Sequence, residues 1–148
     1  MKTLIIFLII ASFIQNTFLP FNLVLIILIC RSYLRPDRAN LFLAFSFGLL
    51  NSHLNLITLG ITSLVYLTIV AVVESLARTR LAGSALIIAP LSFGLLFADQ
   101  VIVLYFAHQS LDFLKIFLES LISLPVFYLV KIWEERFIVR KEIKLKVN

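Results

Sequence analysis

Two carboxylates stand inside long apolar stretches of this chain. Asp99 lies past the middle of residues 85–107, and Glu119 lies near the start of residues 113–133. An ionisable group in such a stretch is costly at depth in lipid, and by default it marks a pathway, an interface or a binding patch. The turn between the two stretches centres near Gln109 and Ser110, so an antiparallel hairpin would set Asp99 level with Glu119. Lys115 precedes Glu119 by four residues and Ser123 follows it by four, which puts all three on one helix face. Lys115 is expected to offset one carboxylate. The other is expected to be protonated or hydrogen-bonded by Gln100 or Ser92, because two neighbouring carboxylates resist joint ionisation. The cluster Asp99, Gln100, Lys115, Glu119 and Ser123 then reads as a polar patch for a partner or ligand, or as a buried ion group that fixes helix register. No nucleophile or metal set accompanies it, so catalysis is not expected.

The remaining reactive side chains are sparse. His53 and His108 are far apart, and Cys30 is the single cysteine, which excludes a disulfide framework and a cysteine-based zinc site. Glu134 and Glu135 sit beside Arg136 and read as a solvated charge run. Glu74 and Arg78 have the spacing of a solvated surface pair on a helix. No catalytic, cofactor-binding or metal-ligating residue is expected, and no cofactor.

The elements that must hold these groups follow from composition. The chain has 148 residues, of which 61% are apolar and 14% charged; its mean hydropathy is +1.08. Soluble domains are roughly 45–50% apolar and about 25% charged. So short a chain cannot bury that much apolar surface in water, and disorder needs the opposite composition. The class expected is all-α: a polytopic membrane bundle of five to six helices.

Six apolar stretches carry that expectation: residues 3–19, 21–34, 39–50, 56–77, 85–107 and 113–133, followed by a basic tail over 134–148. Their short links force antiparallel neighbours. With six crossings and a cytoplasmic N-terminus, every basic residue except Lys115 falls on the inner side, as the positive-inside rule asks. The C-terminus is then cytoplasmic too. The net charge of +5 serves orientation and contact with anionic lipid. Nucleic acid is not an expected partner, since no stacking-aromatic motif accompanies the charge. Residues 21–34 are short for a span, so a five-crossing layout that merges the first two stretches stays open. The N-terminus has the charge and apolar run of a signal peptide, but no clean small-residue cleavage site follows.

Small and polar residues mark helix faces that pack in lipid. Asn40, Ala44, Gly48 and Ser52 recur every four residues, and Asn55, Thr58, Thr62 and Tyr66 are placed on the next helix. The two stripes are expected to meet, either as plain packing or around a lined cavity. Pro90 and Pro125 lie inside the last two stretches, where each removes a helix hydrogen bond.

Arg35-Pro36-Asp37 before the third stretch, Gly48-Leu49-Leu50 within it, then Leu59-Gly60 and Leu64-Val65-Tyr66-Leu67 form a pattern. With the proline turn Leu19-Pro20-Phe21 and the basic tail, it resembles the rod shape-determining MreD family, small bacterial inner-membrane proteins. Ser52 stands where that family commonly has an acidic residue, Leu56 and Thr58 where its loop has glycine and proline, and Glu119 where it often has asparagine. No residue role is carried over at those positions.

The resemblance implies a non-enzymatic component of the cell-wall elongation and cell-shape machinery. Its implied partners are the bitopic protein MreC and, indirectly, MreB, RodA and a penicillin-binding transpeptidase. It also implies a fold like the substrate-binding subunits of energy-coupling-factor transporters. Such a small-molecule-binding subunit is the alternative function. The bulky run Ile5 to Ile10 argues against it, because those subunits usually present an alanine-rich face there.

Overall fold

The computed structural model describes residues 2–18, 21–56, 60–79, 85–107 and 110–136. They form α1 (Lys2–Thr17), α2 (Leu23–Leu34), α3 (Arg38–Leu54), α4 (Ile61–Ala77), α5 (Ala85–Ala107) and α6 (Phe113–Glu134). The chain is all-α over these residues. Residues named above that lie outside them are Leu19, Pro20, Thr58, Leu59, His108, Gln109 and the tail from 137 to 148.

Local chemistry sets several of the ends. Asp37 caps α3 by accepting a hydrogen bond from the Ala39 amide at 3.3 Å, and Asp112 caps α6 by accepting from the Leu114 and Lys115 amides. A side-chain acceptor there satisfies amides that have no partner inside the helix. Two boundaries differ from the sequence expectation. Helix α3 continues to Leu54, because Asn51 and Ser52 turn inward and are buried instead of forming a solvated turn. Helix α4 starts at Ile61 and not at residue 56, because Gly60 holds φ +99°, a left-handed value that ends helical continuity and suits glycine. Asn55 therefore caps the end of α3 and does not belong to the face of α4.

Polar contacts show that the helices alternate in direction. Gln15 near the end of α1 and Asn51 near the end of α3 are hydrogen-bonded to each other. Asn51 reaches Tyr66 in the first half of α4. Asn22, just before α2, touches Asp99 in α5 and Glu119 near the start of α6. Helices α2, α4 and α6 thus begin at the end where α1, α3 and α5 finish.

Helix α2 is the axis of the bundle. It packs against every other helix, and each residue from Val24 to Tyr33 is buried. Its 12 residues rise only about 18 Å. The long helices are different. Among the described residues, those of 85–106 and 113–134 are the two that are long and apolar enough to cross a membrane, yet only 22% and 33% of their most apolar segments are buried. Phe93, Phe97, Val101, Phe117, Leu121 and Leu129 face outward from them, and Ile6, Phe7, Ile10 and Phe13 face outward from α1.

The stripe Asn40, Ala44, Gly48 and Ser52 is buried on α3, and Thr62 and Tyr66 are buried on α4. The two helices do meet, and their closest approach runs through Ser63, which the sequence reading did not single out. A Cβ at Gly48 would stand 2.4 Å from the Ser63 Cα. The Ser63 hydroxyl donates to the Phe45 carbonyl at 2.7 Å, across the same contact. Small residues permit such backbone proximity, and the packing it allows is the main attraction between apolar helices in lipid. Gly48→Ala is expected to push α3 and α4 apart and to cost about 2 kcal/mol, in the range of an overpacked core. Thermal unfolding in detergent measures this, and an unchanged midpoint would refute the close contact.

The end opposite Asn22 gathers charge in ways that correct two expectations. Arg31 lies in α2 and is only 2% exposed, and its Nε lies 3.6 Å from Glu134 Oε1. Glu134 is therefore an ion-pair partner and not part of a solvated run. Glu74 is 6% exposed; it accepts from the Asn40 side chain at 3.1 Å and from the Asp37 amide at 3.3 Å, tying α4 to the start of α3. Isolated i, i+4 spacing predicted a surface pair with Arg78, but the packing of α3 over that face turned Glu74 inward.

Candidate functional site

At the other end, polar side chains from α1, α3, α4, α5 and α6 converge with Asn22 of the α1–α2 link, and α2 joins them through its Val24 amide. Gln15 of α1 donates to Asn51 Oδ1 at 2.8 Å and accepts from the Val24 amide at 3.0 Å. Asn51 donates to the Tyr66 hydroxyl at 2.9 Å. Tyr66 in turn donates to Asn22 Oδ1. The Asn22 side-chain amide donates to Asp99 Oδ2 at 3.2 Å, and its backbone N–H donates to Glu119 Oε1 at 2.8 Å. Asn55 closes the group by donating to Asn51 Oδ1 at 2.8 Å. A connected network of this kind stabilises and orients its members more than isolated bonds do, because each bond polarises the next.

The network borders an open cavity of about 240 Å³ whose walls include Gln15, Asn16, Asn22, Asn51, Asn55, Thr62, Asp99, Gln100, Asp112, Lys115 and Glu119. Both carboxylates at its floor are buried: Asp99 is 5% exposed and Glu119 is 1% exposed. Most donors and acceptors around it are amides, so the cavity can hydrogen-bond a polar group in either sense. Among the described residues, no group of three or more histidine, cysteine, aspartate or glutamate side chains is placed to hold a metal ion.

Of the residues picked from sequence, Asp99, Gln100, Lys115 and Glu119 share this cavity. Ser123 does not line it. It sits deeper, with its hydroxyl 2.8 Å from that of Ser92 and its carbonyl 3.6 Å from the Cys30 thiol. The hydrogen-bond partner of both carboxylates is Asn22, in place of the expected Gln100 or Ser92. Ser92 spends its contacts on Ser123 and on the carbonyls of its own helix. Lys115 lies in the cavity wall, and among the described residues it makes no ion pair with either carboxylate. His53 lies exposed in the last turn of α3.

Sequence reasoning missed Asn22, Gln15 and Asn51. The available signal was that polar amides interrupt apolar stretches near one end of each odd-numbered helix and before the first even-numbered one. Read together under alternating topology, those interruptions fall at a single level of the bundle. No family model, curated protein or solved structure matches this chain.

Proposed function

We propose that the chain is a multi-pass protein of the bacterial cytoplasmic membrane that acts by recognition and not by catalysis. In this reading it is an MreD-like scaffold of the cell-wall elongation machinery, with five or six crossings and both termini on the cytoplasmic side. Apolar side chains turned outward along α1, α5 and α6 support a lipid environment, since water-soluble monomers rarely expose large contiguous apolar surface. Arg31, Arg35, Arg38, Arg78, Lys131 and Arg136 sit at the end opposite the cavity. By the positive-inside rule that end is cytoplasmic, and the cavity opens outward.

The observation that carries the reading is the convergence of side chains from five helices and Asn22 on one polar network, which α2 joins through its Val24 amide. A partner seated there would feel a single rigid body whose other end presents basic residues to the cytosol. Such a body suits the coupling of an extracytoplasmic partner such as MreC to the cytosolic filament MreB, and through them to RodA and a transpeptidase. Co-expression with an MreC-like bitopic protein tests this. The pair is expected to co-purify in detergent, and loss of the chain is expected to abolish rod shape. A chain that purifies alone, from cells that keep their shape without it, would reject the proposal. Cysteine labelling at Asn16, Asp37, His53 and Thr79 tests the orientation: Asn16 and His53 should label from outside, Asp37 and Thr79 from inside.

The cavity favours a second reading, a membrane subunit that binds a small molecule for a transporter of the energy-coupling-factor type. Its volume of about 240 Å³ lies just below the usual range of roughly 300–1,000 Å³ for ligand pockets. A vitamin retained through purification would support this reading over the scaffold.

A further inference from the structure

We propose that the cavity beside Asn22 takes a primary ammonium group, seated on Asp99. The inference rests on the reading of this cavity as an outward-facing recognition site, and not on the identity of any scaffold partner. Asp99 lines the cavity and is 5% exposed. One of its oxygens, Oδ2, accepts from the Asn22 side chain, while Oδ1 has no hydrogen-bond partner among the described residues. A buried acceptor left without a donor carries the full cost of its lost hydration, so native proteins fill such positions. Asn22 directs its side-chain amide to Oδ2 and its backbone N–H to Glu119, and neither reaches Oδ1.

Charge and size narrow the occupant. Asp99, Glu119 and Asp112 line the cavity against the single cation Lys115, and an excess of carboxylates in a partly enclosed site draws cations. The volume of about 240 Å³ equals roughly eight water molecules at ~30 Å³ each. That space fits a molecule of several heavy atoms, not a bare ion, which needs oxygen ligands at about 2.3–2.6 Å on every side. The polar walls suit an ammonium with N–H donors better than a quaternary one, which is recognised by aromatic cages. Phe21 is the one aromatic among the lining residues. Asp99 Oδ1 is closed off by protein here, so the carboxylate turns toward the cavity to accept one N–H of the ammonium, and Lys115 in the cavity wall meets an anionic or hydroxyl group elsewhere on the same ligand.

Two sources present this chemistry at an outer membrane surface: a free small amine and the ethanolamine headgroup of a phospholipid. The test uses the full chain in phosphatidylcholine nanodiscs, where no N–H donor comes from the lipid. Ethanolamine is expected to raise the thermal midpoint saturably, choline and sodium chloride at equal concentration are not, and Asp99→Asn is expected to weaken the effect by about tenfold or more. No shift with free ethanolamine, but a higher midpoint in phosphatidylethanolamine than in phosphatidylcholine that Asp99→Asn removes, assigns the same site to the lipid. Line broadening of ¹⁵N-ethanolamine by the unaltered protein provides a readout that needs no variant. A shift of equal size with choline or sodium, or no response to either ammonium source, overturns the proposal. Co-purification with an MreC-like protein is a separate measurement, so failure of the scaffold reading and failure of ammonium binding are told apart.

Discussion

Asn22→Ala is expected to lower stability by about 3 kcal/mol, a large effect for a residue outside any helix. Its side chain both donates to Asp99 Oδ2 and accepts from the Tyr66 hydroxyl. Truncation leaves two buried groups unsatisfied, at roughly 1–3 kcal/mol each. Interhelical hydrogen bonds between neutral groups in membranes average only ~0.6 kcal/mol. The larger figure is expected here because a buried carboxylate is one of the two groups orphaned. Tyr66→Phe removes one member of the same chain and should cost less, about 1 kcal/mol. The double variant should cost less than the sum, since both changes act on one network. Denaturant unfolding in mixed micelles measures all three. Strict additivity, or an Asn22→Ala midpoint equal to the parent's, would show that the network holds nothing together.

Glu134→Leu is expected to cost about 3 kcal/mol by leaving the Arg31 guanidinium without its carboxylate partner inside the bundle. Removing one member of a buried pair costs roughly 3–5 kcal/mol. The lower end applies because Glu134 keeps 14% of its side chain exposed and Asp37 also acts electrostatically on Arg31. The double variant Arg31→Met with Glu134→Leu should recover most of the loss, because well-packed apolar residues replace a buried pair at little cost. This cycle separates a desolvated pair from a surface pair, whose coupling would fall within about 1 kcal/mol. A single variant as stable as the parent would place Glu134 in solvent after all.

The two clusters show how far sequence reasoning reached. Helix α2 ends at Leu34, α5 spans Ala85–Ala107 and α6 starts at Phe113, as the lengths of the apolar stretches indicate. These ends are legible because charges, prolines and capping aspartates interrupt long apolar runs. The boundary between α3 and α4 was not legible. Asn51, Ser52 and His53 look like a solvated turn, and only packing against Gln15 and Tyr66 makes another helical turn favourable for Asn51. Glu74 failed for the same reason: periodicity reports which residues share a face, and not what covers that face.

Composition and periodicity alone gave the helical class, the six apolar stretches and the common level of Asp99 and Glu119 at one cavity. These follow from counts, from the 3.6-residue repeat and from the short turn of one hairpin, all of which are local. Only the tertiary structure decided that Asn22 bridges those two carboxylates, that Gln15, Asn51 and Tyr66 join them, and that Arg31 is buried against Glu134. Each of those contacts joins residues from different helices, and the rotation of each helix about its own axis is set by the fit of all its neighbours at once.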